Sequence, residues 1–163
     1  MPANFHQARV VAFMTSFKTW IRSLLLIALL IAVGCSYGGP SYSLSPASGT
    51  VSMDGKPVAN AVVVFHSESA PIASAITDSS GQFQLATGTH GEGIAIGDFL
   101  VQISSNAETK DSSGKAISIP IVYSENGVEV VKIAQGGENS FAFNLKSRPK
   151  SGDYLSNNPL AEP

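Results

Sequence analysis

The sequence predicts an all-β fold: a β-sandwich of about seven strands with Greek-key connections, behind an export leader and a flexible tether. Three observations predict it. Apolar residues recur with period two in short runs rich in β-branched and aromatic side chains, turn-forming residues separate those runs, and no window beyond the leader carries a sustained helical stripe. Seven or so such runs within about a hundred residues are the pattern of a sandwich rather than of a parallel α/β sheet. A hydrophobic share of 44% in 163 residues suffices for one core with extensions.

The first segment is not part of that body. Arg9, Lys18 and Arg22 form a positive flank without an acidic residue, Leu24 to Val33 are uninterrupted apolar positions, and Gly34 precedes the sole cysteine, Cys35. Ten helical residues rise about 15 Å, half of the roughly 30 Å hydrocarbon thickness, so residues 1–34 read as a signal peptide rather than a spanning helix. Met14 opens a compact version of the same signal, and translation is expected to start there. Cleavage ahead of Cys35 leaves seven basic against twelve acidic residues, a formal charge of −5. Without a Lys/Arg cluster there is no electrostatic footprint for nucleic acid. A lone cysteine also excludes an internal disulfide.

The stretch "IAVGC" resembles the lipobox of bacterial lipoproteins, with Ile31, Ala32, Val33 and Gly34 in the permitted classes and Ala32 where leucine is common. The resemblance implies cleavage between Gly34 and Cys35, and thioether-linked diacylglycerol with further acylation, such as palmitate, on Cys35. A thiolate is the side-chain nucleophile suited to alkylation, and at about 0.8 kcal/mol per buried methylene two or more chains make a lasting anchor. The alternative is an incidental or buried cysteine after an ordinary signal. The resemblance thus implies a membrane lipid partner through acylated Cys35 and an extracytoplasmic place on the cell membrane or outer membrane; Ser36, where aspartate would hint at inner-membrane retention, favours the outer membrane.

Residues 35–48 follow as lipidated cysteine and tether, "CSYGGPSYSLSPAS", too rich in Ser, Gly and Pro to bury a core. Tyr37 and Tyr42 could meet headgroups or a ligand, but two stray linker tyrosines is the plainer reading. The sandwich is expected over 49–146. "GTVSM" leads through Asp54-Gly55 into "KPVANAVVVF", which places Ala61, Val63 and Phe65 on one face. "IASAIT", "DSSG" and "QFQLA" read as a hairpin. "GDFLVQIS" alternates Phe99, Val101 and Ile103, and "NSFAFNL" alternates Phe141, Phe143 and Leu145. Asn106 to Ala116 is polar and aperiodic, hence expected to be an exposed loop and the most mobile part of the domain. Val128, Val130, Val131 and Ile133 cannot share one face of a regular strand, which leaves a bulge or burial on both faces open. Residues 147–163, with three basic residues and three prolines, are expected to be a disordered tail.

"GTVSMDGKPVANAVVVF", "TDSSGQF" and "GDFLVQI" resemble the G-x-V-x-x-D-G-x-P opening, the T-D-x-x-G-x-F hairpin and the G-x-Y-x-V-x-I strand of carboxypeptidase regulatory-like domains, which have a transthyretin-like or prealbumin-like sandwich. "IPIVYS" and "GENSFAFNL" resemble the closing portion of small bacterial lipoproteins of that kind. These motifs specify turns and strands, so the resemblance implies a fold and carries no chemistry over.

Direct inspection for chemistry yields no catalytic, cofactor-binding or metal-ligating set. His66 and His90 are the only histidines after Cys35, and neither has a second ligand at a metal spacing. His66 reads as an ordinary strand-end histidine; His90 lies in "GTHGEGIAIG", whose glycines signal tight turns, with no following helix to complete an anion site. Asp78, Ser79 and Ser80 offer oxygens to calcium, but their hairpin role suffices. There is no G-x-S-x-G elbow, and the Tyr-Arg-Gly-Ser ending of transthyretin-related hydrolases is absent from "NNPLAEP". Trp20, the lone tryptophan, leaves with the leader, and the phenylalanines fall at core positions. Tyr123 suits either a surface anchor or the residue that pins a sandwich corner, and the latter is preferred. The expectation is a non-enzymatic, lipid-anchored structural or interaction module of the cell envelope without cofactors. The alternative is a sugar- or peptide-binding lipoprotein serving an envelope enzyme or transporter, its protein or carbohydrate partner unspecified.

Overall fold

The computed structural model describes residues 42–160. The signal segment, Cys35 with its predicted lipidation, Tyr37 and the rest of the tether through Ser41 lie outside the described residues, as do the last three residues of the tail.

The described chain is all-β. In order it forms β1 (Leu44–Ser45), β2 (Ala47–Met53), β3 (Lys56–His66), β4 (Ala73–Ile76), β5 (Gln82–Gln84), β6 (Ala86–Thr87), a 3₁₀ turn (Gly88–His90), β7 (Gly91–Glu92), β8 (Ile94–Ala95) and β9 (Gly97–Asp111). One helical turn, α1 (Val122–Glu125), precedes β10 (Glu129–Ile133) and β11 (Asn139–Leu145). Eleven strands replace the expected seven or so. The surplus comes from pieces of two or three residues, most of them in the glycine-rich stretch after Leu85, too short to display a period in the sequence.

Pairing follows the order β10-β9-β3-β4-β6-β7 along one path, while β2 pairs with β11 and β5. β3 joins the two groups, because its first residues pair with β2 at Met53↔Lys56 and Ser52↔Pro57 before it continues along β9. Asp54 and Gly55 close that hairpin with φ of 51° and 79°, the two left-handed positions that a two-residue turn with an Asp-Gly sequence supplies. Every pair is antiparallel except β2–β11, in which the two ends of the domain run side by side from Asn139↔Ala47 to Leu145↔Met53. β1 pairs with β8 alone.

The core lies where the two groups face each other. Ala61, Val63 and Phe65 are fully buried on one face of β3, as the alternation predicts, and Phe99, Val101 and Ile103 repeat the pattern on β9. Phe65 meets Phe83, Phe141 and Phe143 of the second group at centroid separations of 6.4, 5.7 and 6.2 Å, tilted or edge-on as aromatic quadrupoles prefer. Burial of side chains this size contributes about 1.5–3 kcal/mol each.

Several sequence expectations are corrected. The folded body starts before Gly49: Ala47 is buried, its carbonyl accepts the Leu85 N–H at 2.9 Å, and β1 precedes it, so apolar residues interleaved with serines are enough for a strand when a ladder awaits them. The segment around Asp78 is a hairpin only in part. Its arms pair antiparallel at Ser74↔Ala86 and the Asp78 N–H donates to the Gln82 carbonyl at 2.8 Å, but β5 between them pairs with β2 and so links the two groups, with the Asp78 carboxylate accepting the Ser80 and Gln82 N–H groups at 2.8 and 2.9 Å.

β9 runs on to Asp111 instead of giving way to a loop at Asn106: Lys110 and Asp111 pair with Ala59 and Val58, residues 106–109 bulge opposite Asn60, and the loop shrinks to a turn at Asp111 to Gly114. Polarity hid this strand because it flanks a bulge, whose backbone needs are met by side chains: Thr109 is buried, and its hydroxyl donates to the Asn60 carbonyl at 2.9 Å. Val131 and Ile133 point inward from β10, Val130 stays 49% exposed on the other face, and Val128 precedes the strand, so neither a bulge nor two-sided burial is required. The tail is ordered through Leu160. Tyr154 packs edge-on against Tyr123, the Leu155 N–H donates to the Gly127 carbonyl at 3.1 Å, and the Asn158 side chain donates to the Glu125 carbonyl at 2.9 Å. Hydrogen bonding to the end of α1, invisible to periodicity, holds it there.

Candidate functional site

Cys35, the residue with a predicted modification, lies outside the described residues, and the described chain begins at Tyr42. Tyr42 is not a stray linker residue: its ring stands edge-on to His90 at 5.6 Å. His90 ends the 3₁₀ turn, and the glycines around it are structural. Gly93 holds φ of 99°, where a Cβ would come within 2.7 Å of the Ser45 carbonyl oxygen, and the buried Thr87 hydroxyl donates to the Gly93 carbonyl at 2.7 Å. The loop therefore clasps β1 against β8. Its close approach is to this chain's own backbone, and Tyr42–His90 is a side-chain pair that spacing in the sequence does not reveal.

His66 sits at the end of β3 as expected, in a groove of about 480 Å³ that Glu68, Asp98, Leu100, Val130 and Leu160 also line. The groove exists because the ordered tail crosses beside β9 and β10. It brings an imidazole and two carboxylates to one open surface, yet no set of three such side chains among the described residues is arranged to hold a metal ion.

A second groove, about 580 Å³, opens at the β1–β2 junction between Ser48, Gln84, Glu138 and Ser140. Asn139 forms its floor. The side chain accepts the Ala134 N–H at 3.0 Å and donates to the Ala134 and Pro46 carbonyls at 3.1 and 3.2 Å, so its polar atoms are spent tying the β10–β11 turn to the start of β2. A third hollow of about 330 Å³ lies over Gly49 between Phe83 and Phe141. The phenylalanines of the body point into the core, as their alternation predicts.

Tyr123 is fully buried and acts from within. Its hydroxyl accepts the Lys146 N–H at 2.9 Å, pinning the end of β11, and burial pushes its pKa up. Two turn carboxylates are held below the usual range. The Ser147 hydroxyl and then its amide hold Asp54, and the Ser113 hydroxyl, with the Lys115 and Ser113 amides, holds Asp111. Both are exposed and anchor turns. Asp78, Ser79 and Ser80 likewise form a turn. Sequence reasoning overlooked the large apolar residues left on the surface, Ile72 and Ile76 at 51% and 61% exposure, because period two alone does not say which face of a strand is covered.

No family model matches the chain, and neither the curated proteins nor the solved structures contain a match to it.

Proposed function

We propose that the protein is a lipid-anchored, extracytoplasmic module of a bacterial cell envelope, in which acylated Cys35 holds a non-catalytic transthyretin-like sandwich with Greek-key connections near the bilayer as a structural or interaction element. The observation that carries this reading is the run Leu24 to Val33 behind Arg9, Lys18 and Arg22 and ahead of Gly34-Cys35. It is a cationic flank, an apolar stretch too short to span, and a small residue before the only thiol. In this reading membrane attachment falls to the cysteine; among the described residues no helix is long and apolar enough to cross a membrane. Structural roles for Asn139, Thr87, Asp54 and Tyr123 support the non-catalytic part, since each spends its polar atoms on this chain's own backbone.

The deciding measurement is the intact mass of the protein extracted from native membranes. A species beginning at Cys35 and carrying diacylglycerol plus acyl mass is expected. An unmodified species that partitions into the aqueous phase, or one that retains residues before Cys35, refutes the anchor.

A further inference from the structure

β11 lies at the margin of its sheet, pairing with β2 and with no other described strand. Along a strand, the backbone groups of successive residues point to opposite sides. The Leu145 carbonyl accepts the Asp54 N–H at 3.0 Å on the β2 side, whereas the Lys146 N–H turns the other way to the Tyr123 hydroxyl. By the same alternation Ser140, Ala142 and Asn144 direct their N–H and C=O groups away from β2. Tyr123 closes one end of this row at Lys146 and leaves the rest an open template for another strand.

The other sheet margins are blunted in the ways that discourage pairing. β10 carries Glu129 and Lys132, and β5 and β7 are only three and two residues long. β11 has seven residues and contains no charge, proline or glycine. Its sequence is also close to a palindrome about Ala142, with Phe141 and Phe143 on either side and the small polar Ser140 and Asn144 beyond them.

We propose that β11 is a self-association edge, through which two copies of this chain pair antiparallel about a two-fold axis at Ala142 and join their β5–β2–β11 groups into one continuous sheet. The register is fixed by the direction of the backbone groups. With Ala142 opposite its own copy, Ser140 faces Asn144 and the three outward-pointing residues of each copy meet as hydrogen-bonded pairs, giving about six main-chain bonds. The same register sets Phe141, half-buried at the open margin, against Phe143 of the second copy, and isologous contact of this kind is self-complementary by construction. Asn144 Oδ1 already accepts the Ser52 hydroxyl at 2.7 Å, which leaves its amide hydrogens for the Ser140 hydroxyl across the axis. Charge permits the approach: the chain after Cys35 carries a formal −5, but the seam is uncharged, so no like charges meet at the contact. The proposal does not rest on the lipid anchor.

Analytical ultracentrifugation of the full chain in detergent, across micromolar to hundred-micromolar concentrations, tests it, with circular dichroism to report the fold. The wild type is expected to reach a dimer. Ala142→Lys sets two ammonium groups face to face on the axis and is expected to weaken the dimer at least tenfold with the monomer fold retained. Ala142→Pro removes only an outward N–H and is expected to do the same; should it unfold, Ala142→Lys alone decides. Ser113→Lys, at a remote exposed turn, is expected to dimerise as the wild type does. A wild type that is monomeric throughout the range, or an Ala142→Lys variant that dimerises undiminished, overturns the proposal.

Discussion

The Tyr123 hydroxyl accepts the backbone N–H of Lys146 at 2.9 Å, so a side chain fully buried beneath α1 fixes the point at which the last strand ends. Without that oxygen the amide has no partner on its side of β11. Tyr123→Phe is expected to destabilise the fold by about 1–2 kcal/mol, the usual penalty for a polar group left unpaired. A urea titration should show a lower midpoint with the slope unchanged. Burial raises the tyrosine pKa above 10.0, so this residue's contribution is complete below that value and falls as pH rises toward the raised one, because the unfolded chain ionises first. The phenylalanine variant should lack that alkaline increment.

The β9 bulge opposite Asn60 depends on two threonines. Asn60 holds φ of 57° where the register against β9 shifts, and the interrupted ladder is repaired from both sides. Thr77 donates to the Val58 carbonyl at 2.7 Å and accepts the Ala61 N–H at 2.8 Å, while Thr109 serves Asn60. Thr77→Val keeps the shape and removes both bonds inside a buried site, which is expected to cost about 2–4 kcal/mol; Thr77→Ser should retain most of the stability. Equal unfolding midpoints for the two variants would show that the hydroxyl is dispensable.

That bulge also marks where the sequence stops being legible. Ala61, Val63, Phe65, Phe99, Ile103 and Phe143 announce their faces because burial imposes period two, and Asp54-Gly55 announces its turn because few residues adopt those angles. Asn106 to Asp111 do not, since their strand is held by a hydroxyl and by pairing across a shifted register. The ordered tail and the parallel β2–β11 pair were equally silent: both depend on contacts between residues far apart in the chain, for which local pattern holds no signal. For Tyr123 the sequence left a surface anchor and a pinning residue open with the second preferred, and its burial and its bond to Lys146 agree with the second. The Tyr42–His90 contact was not legible, because neither residue belongs to a periodic run.

Asp54 gives an acid-side prediction. The Ser147 hydroxyl and amide hold its carboxylate below the usual carboxylate range, with Lys146 and Lys56 adding charge. A lowered folded-state pKa means that the contribution is present above about pH 4 and is lost as pH falls through the lowered value. Asp54→Asn tolerates the left-handed turn angle but does not titrate, so its urea midpoint is expected to vary less with pH between 2 and 5 than that of the wild type. Asp111, held down by Ser113, titrates in both proteins and leaves the difference intact.

Gly49 is where β2 lets two aromatic rings close over it. Its partners in register are Phe83 on one side and Phe141 on the other, and Phe143 stacks on both rings at centroid separations of 6.1 Å. A Cβ at Gly49 would run into the Phe141 carbonyl oxygen and stand 2.7 Å from the Phe83 ring. Backbone cannot retreat cheaply inside a ladder, and the ring, the second obstacle, is packed against Phe65. Gly49→Ala is expected to cost about 1–3 kcal/mol by overpacking, and Gly49→Val more, whereas Ser48→Ala on the exposed face should stay within about 0.5 kcal/mol of wild type. The cause can be isolated by combining Gly49→Ala with Phe83→Leu: if the phenyl ring is the obstacle, the double variant is more stable than the two single costs sum to, by at least about 0.5 kcal/mol in chemical denaturation. Strict additivity would place the strain in the Phe141 carbonyl instead, and a neutral Gly49→Ala would mean that carbonyl and ring both give way and that this end of the core is looser than its stacking geometry implies.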